Sequence, residues 1–113
     1  MPDNRQNDGQ LRIAKNLDSR ARPTWTSLAP RIAEYDEEDW VRQHFEGAEQ
    51  ALGRRDGRRA LAELRHGTVR MAIALRPLTR AYPADADIAA ALTATLAVRD
   101  QAVAEASANG RPL

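Results

Sequence analysis

The residues able to do chemistry are concentrated between positions 53 and 82. Arg54, Arg55, Arg58, Arg59, Arg65, Arg70, Arg76 and Arg80 stand there against two acids, Asp56 and Glu63, a formal charge of 8 − 2 = +6. A guanidinium is planar, always charged, and donates paired hydrogen bonds to one phosphate or carboxylate. The chemistry it supports is anion binding rather than bond making. Wound as a helix at about 100° per residue, the stretch sorts into two faces. Ala60, Leu61, Leu64, Met71, Leu75 and Leu78 form a core-facing stripe. Arg54, Arg55, Arg58, Arg65, Arg76 and Arg80 gather opposite, with Arg59 and Arg70 at the flank. One helical turn advances about 5.4 Å, comparable with the spacing of phosphates along a strand. Such a row follows a polyphosphate backbone without reading bases.

The other polar residues do not assemble into a catalytic set. His44 and His66 are the only histidines, and their spacing is not that of a helical metal pair. His44 falls on an apolar stripe and reads as a partly buried structural residue. Asp36, Glu37, Glu38 and Asp39 are consecutive, so they splay around a helix start instead of facing one substrate atom. They complement the helix dipole and offer a docking point for arginines of a neighbouring subunit. Without cysteine, disulfides and thiolate zinc sites are excluded. No nucleophile–base pair and no phosphate loop is present. The expectation is a protein that is not an enzyme, with no cofactor and no metal.

The elements that must carry these residues are helices. Alanine and leucine are plentiful, β-branched residues few, and aromatics limited to Trp25, Tyr35, Trp40, Phe45 and Tyr82. With 113 residues, the chain makes one modest core. The fold class expected is all-α, a small bundle of about four helices with a loosely ordered N-terminal arm. No apolar run reaches the roughly 20 residues needed to span a bilayer. Met1-Pro2-Asp3-Asn4-Arg5 leads into polar residues, not a signal peptide, so a cytoplasmic location is expected. The net charge of +1 hides four blocks: +2 over 1–35 (6 − 4), −5 over 36–52 (1 − 6), +6 over 53–82, and −2 over 83–113 (2 − 4). Sixteen arginines against one lysine is what GC-rich coding writes; their clustering is not explained that way.

Taken in order, residues 1–23 read as the polar, mildly basic arm, with one helical turn around Leu11–Leu17 and cations at Arg5, Arg12, Lys15, Arg20 and Arg22. The bundle domain is expected over 24–113. A short helix from Trp25 to Tyr35 has Trp25 as a core anchor. Asp36 caps a second helix whose stripe is Trp40, Val41, His44, Phe45, Ala48, Ala51 and Leu52, ended by Gly53. Asp56 caps the arginine-rich helix, weakened by Gly67 and Thr68 and kinked or broken at Pro77. Residues 85–108 form an alanine-rich helix with a stripe of Ile88, Leu92, Thr95, Leu96 and Val103.

The run from Ala51 to Arg65, an arginine-rich helix spaced with alanines, resembles the helix of small subunits of CRISPR–Cas effector complexes. That resemblance implies a non-catalytic helical subunit of a cytoplasmic antiviral ribonucleoprotein. In it Arg54, Arg55, Arg58, Arg59 and Arg65 would contact the backbone of RNA or DNA, stabilising guide and target or a displaced strand. Asp36–Asp39 would meet larger protein subunits or further copies of the chain. Leu52-Gly53, Ala60 and Pro77 also resemble a tetratricopeptide helix pair, which implies an adaptor docking on an acidic protein surface.

Overall fold

The computed structural model describes residues 4–32 and 37–110, which form four helices: α1 (Asn4–Ile32), α2 (Glu37–Gly53), α3 (Gly57–Ala81) and α4 (Ala86–Gly110). The fold is an all-α bundle. Asn7 lies beside Gly57, and Arg31 lies beside Asp85. The helices therefore alternate up and down, with α1 parallel to α3. Helix α3 packs on all the others, whereas α2 and α4 flank it without touching each other. The bundle measures 53 × 23 × 20 Å. Among the described residues no helix is long and apolar enough to cross a membrane.

The first correction concerns the arm. Residues 4–23 are the larger part of α1, a 29-residue helix that continues to Ile32. Its buried stripe is Leu11, Ala14, Leu17, Ala21, Trp25 and Leu28, spaced by three or four residues. Half of that stripe's first four members are alanine, which adds little hydrophobicity to a sequence profile yet lets α1 sit close. The helix runs through Pro23 and Pro30, each of which removes a donor at a penalty of about 3 kcal/mol in a helix interior. Both prolines are exposed, and so are Ser19 and Thr26, whose carbonyls lose those donors. The freed carbonyls belong to solvent-facing residues, while Ala21, Trp25 and Leu28 hold the inner side. The separate helix expected from Trp25 is thus the last third of α1. Trp25 is buried as the core anchor expected, its ring stacked on Phe45 at 5.9 Å between centroids.

In α2 the buried residues are Val41, Phe45, Ala48 and Ala51, with His44 and Leu52 half-buried. Trp40 does not join that stripe: it is 49% exposed, with the Arg70 guanidinium 5.3 Å over its ring. Asp36, expected as the cap, lies outside the described residues. The stop after α2 is not made by Gly53. Asp56 N–H donates to Ala51 O at 2.8 Å and Arg55 N–H to Leu52 O at 3.1 Å, the paired bonds of a Schellman turn. Its left-handed position is held by Arg55, at φ 59°.

Helix α3 begins at the expected cap, with Asp56 Oδ1 accepting from Arg59 N–H at 3.1 Å. The helix runs unbroken through Gly67 and Thr68, both buried on the core side. The Thr68 hydroxyl donates to Leu64 O at 2.8 Å. Nor does Pro77 break the helix, which continues to Ala81. The carbonyl deprived of its donor belongs to Ile73, an exposed residue. Asp85 caps α4, its Oδ1 accepting from the backbone of Asp87 and Ile88 at 3.0 and 3.2 Å. The inner side of α4 is Ile88, Thr95, Val98 and Ala102; Val103 is exposed instead.

Candidate nucleic-acid interface

Helix α3 carries its arginines on two flanks rather than in one row. At about 100° per residue, Arg58, Arg65 and Arg76 fall within about 20° of one line, with Arg80 about 40° further round. Arg59 and Arg70 stand about 100–120° away, on the α2 side. A rise of about 1.5 Å per residue puts Arg65 about 10 Å and Arg76 about 27 Å from Arg58 along the axis. Phosphate-to-phosphate tracking by every arginine is therefore not the geometry. Arg54 and Arg55 are not on α3 at all: they form the turn before it.

Partners divide the eight further. Arg59 lies 3.6 Å from Glu63 Oε1, and Arg55 lies 3.6 Å from Asp8 Oδ1. Arg65 Nη2 donates to His66 Nε2 at 3.1 Å. Arg70 covers Trp40. Arg54, Arg58, Arg76 and Arg80 are exposed and have no side-chain partner among the described residues.

The turn between α2 and α3 gathers Arg54, Arg55, Arg58 and Arg59 at one end of the bundle. Two features hold it there. Asn7 of α1 accepts from Gly57 N–H through Oδ1 at 2.8 Å and donates to Arg55 O through Nδ2 at 2.9 Å. Gly57 is packed so tightly on α1 that a Cβ would lie 2.7 Å from Asn7 O and 2.8 Å from Leu11 N. Asn7 is the residue that sequence reasoning missed. Its only signal is a polar side chain one turn before Leu11 on a stripe that was itself unread. With helices antiparallel, terminal dipoles at this end oppose one another, so its charge is that of side chains.

The acidic cluster is only partly placed. Asp36 lies outside the described residues, and Glu37 and Glu38 open α2. Asp39 is exposed and bonds Arg42 of its own helix. Around the middle of the α2–α3 seam, His44 Nδ1 is 3.7 Å from Glu63 Oε1, and the two imidazole rings stack at 5.4 Å. Gly47 leaves the space that the Glu63 carboxylate fills. Since a guanidinium only donates, the Arg65 contact makes Nε2 of His66 its unprotonated nitrogen. Burial, then the charge of Arg65, then His44 lower the pKa of His66 below its ordinary value, with Glu63 opposing. Among the described residues no three such side chains converge as a metal-ligand set.

No family model matches this sequence, and no curated protein or solved structure matches it either.

Proposed function

We propose that this chain binds a nucleic-acid backbone, without catalysis, as a small subunit of a larger ribonucleoprotein effector assembly of CRISPR type. The observation that carries the reading is Arg55. It sits in left-handed backbone geometry, where glycine is favoured by about 1–2 kcal/mol, 3.6 Å from Asp8 and close in the chain to Arg54 and Arg58, both exposed and without partners among the described residues. Backbone strain of this kind at a charged residue is what binding sites carry. Arg54, Arg55, Arg58 and Arg59 are the principal contacts. Arg65, Arg76 and Arg80 extend them along one flank of α3, and Arg70 remains with Trp40. Asp36, Glu37, Glu38 and Asp39 are the residues that meet neighbouring protein subunits.

Fluorescence anisotropy with a labelled oligonucleotide tests it. The native protein binds with an affinity that falls steeply as salt rises, and Arg54→Glu with Arg58→Glu abolishes retention. Undiminished binding by that double variant would exclude this end of the bundle.

One observation favours the adaptor reading: Ile73 and Trp40 are 45% and 49% exposed on the outer side of the α2–α3 pair. A photo-crosslinker at position 73 that captures one acidic protein segment, with no oligonucleotide binding in solution, would establish it instead.

A further inference from the structure

We infer that the first half of α1 forms a second wall of the basic end, and that the polyanion laid across both walls is a double helix. The inference rests on the nucleic-acid reading above. Of the α1 cations, Arg20 is committed to Gln101 at 2.7 Å, and Arg22 to Asp18 at 2.8 Å and to Phe45 O at 3.0 Å. Arg12 and Lys15 are different. Both are exposed, neither has a side-chain partner among the described residues, and their helix presents them toward Arg55. With Asp8, Leu11 and Arg55 they line a groove of about 260 Å³ where α1 meets the turn. Across the turn, Gln50, Arg54, Asp56 and Arg59 line a second groove of about 330 Å³. Arg54 and Arg55, adjacent in the chain, each line one of the two grooves.

The charges in these grooves are not balanced from within. Asp8 faces Arg55, and Asp56 is used as the α3 cap, which leaves Arg12, Lys15 and Arg54 without an ion-pair partner among the described residues. Among the described residues, no aromatic side chain on which a base could stack lines either groove. Trp25 and Phe45 are stacked on each other inside the bundle. Trp40 lies under Arg70, and Tyr82 lies under Arg31 at the far end. Proteins that hold single strands combine charge with aromatic platforms worth about 1–3 kcal/mol per base. A site offering charge alone discriminates by phosphate density. A duplex presents one charge per about 1.7 Å of axis against about 3.4 Å for one strand, and releases more counterions per contact. Two basic walls separated by a turn suit two phosphate rows.

The test compares a short labelled duplex with its separated strand, using the full chain and anisotropy over a salt series. The duplex binds at least about tenfold more tightly. Arg12→Glu with Lys15→Glu weakens duplex binding at least about tenfold and lowers the log–log salt slope by about 2, with an unchanged thermal melt. Arg12→Ala with Lys15→Ala moves both quantities the same way by less. Equal affinity for strand and duplex overturns the inference. So does a double variant that binds like the native protein while Arg54→Glu with Arg58→Glu does not; that result leaves the proposed function standing. Absence of binding to either nucleic acid by the native protein removes both.

Discussion

The seam between α2 and α3 and the turn that joins them are built from similar residues put to opposite uses. Along the seam the interior charges have neighbours suited to them: Glu63 lies within reach of both His44 and Arg59, and Arg65 meets His66. Beside it, where α1 meets α2, Arg22 is tied to Asp18 and Glu49. At the turn, like charges stand together: Arg54 and Arg58 lack side-chain partners among the described residues, as do Arg12 and Lys15 next to them. Like charges at close range destabilise a fold, weakly at an exposed site and never favourably. The seam is explained by the bundle's own stability; the turn is not. That difference is why the proposed contact is placed at the turn rather than along the whole length of α3.

Substitutions separate the two regions, the expected stability changes running from the largest to the smallest, with Arg54 and Arg58 set beside the first as its contrast. Phe45 is 1% exposed and stacked on Trp25, so Phe45→Ala removes about 3–5 kcal/mol, read by chemical denaturation. A change within ±0.5 kcal/mol is expected for Arg54→Ala or Arg58→Ala by the same measurement. Gly57→Ala forces α1 off the turn and costs about 1–3 kcal/mol, because the added methyl meets backbone that cannot rotate away.

Arg55→Gly sharpens the comparison further, since it should raise stability by about 1 kcal/mol while weakening oligonucleotide binding. If stability and binding fell together, Arg55 would belong with the seam. Thr95 is buried and its hydroxyl has no partner among the described residues, so Thr95→Val should stabilise by about 1 kcal/mol.

The smallest effect is that of pH. His66 has a lowered pKa when folded, so its neutral form is favoured in the bundle. The associated stability is complete above the ordinary value of 6.5 and is lost as pH falls through the lower folded value. Denaturation midpoints should decline modestly as pH falls from about 6.5 through the folded value, and His66→Gln should flatten the decline. Oligonucleotide binding through arginine carries no such titration.

Much of the fold was legible in the residues. Asp56 and Asp85 announce α3 and α4 by cap chemistry, and the α3 stripe from Ala60 to Leu78 is buried as its 3.6-residue period requires. The first helix was not legible. Its stripe depends on Ala14 and Ala21, and its prolines contradict local propensity; packing against α3 overrides both. The candidate site was half legible for a related reason. Composition located the arginines, but exposed side chains leave no periodic trace of which ones find partners.

What the amino-acid order determined alone is local: helix type, the caps, the cluster of guanidinium groups and the absence of thiols. Those properties follow from dihedral preference and hydrophobic period within a few residues. Only the tertiary structure decided which arginines are spent, that Arg12 and Lys15 stand beside Arg55, and that Asn7 fastens the turn. Asn7 and Gly57 are 50 residues apart, and a contact over that distance is set by how the stripes of several helices close on one core.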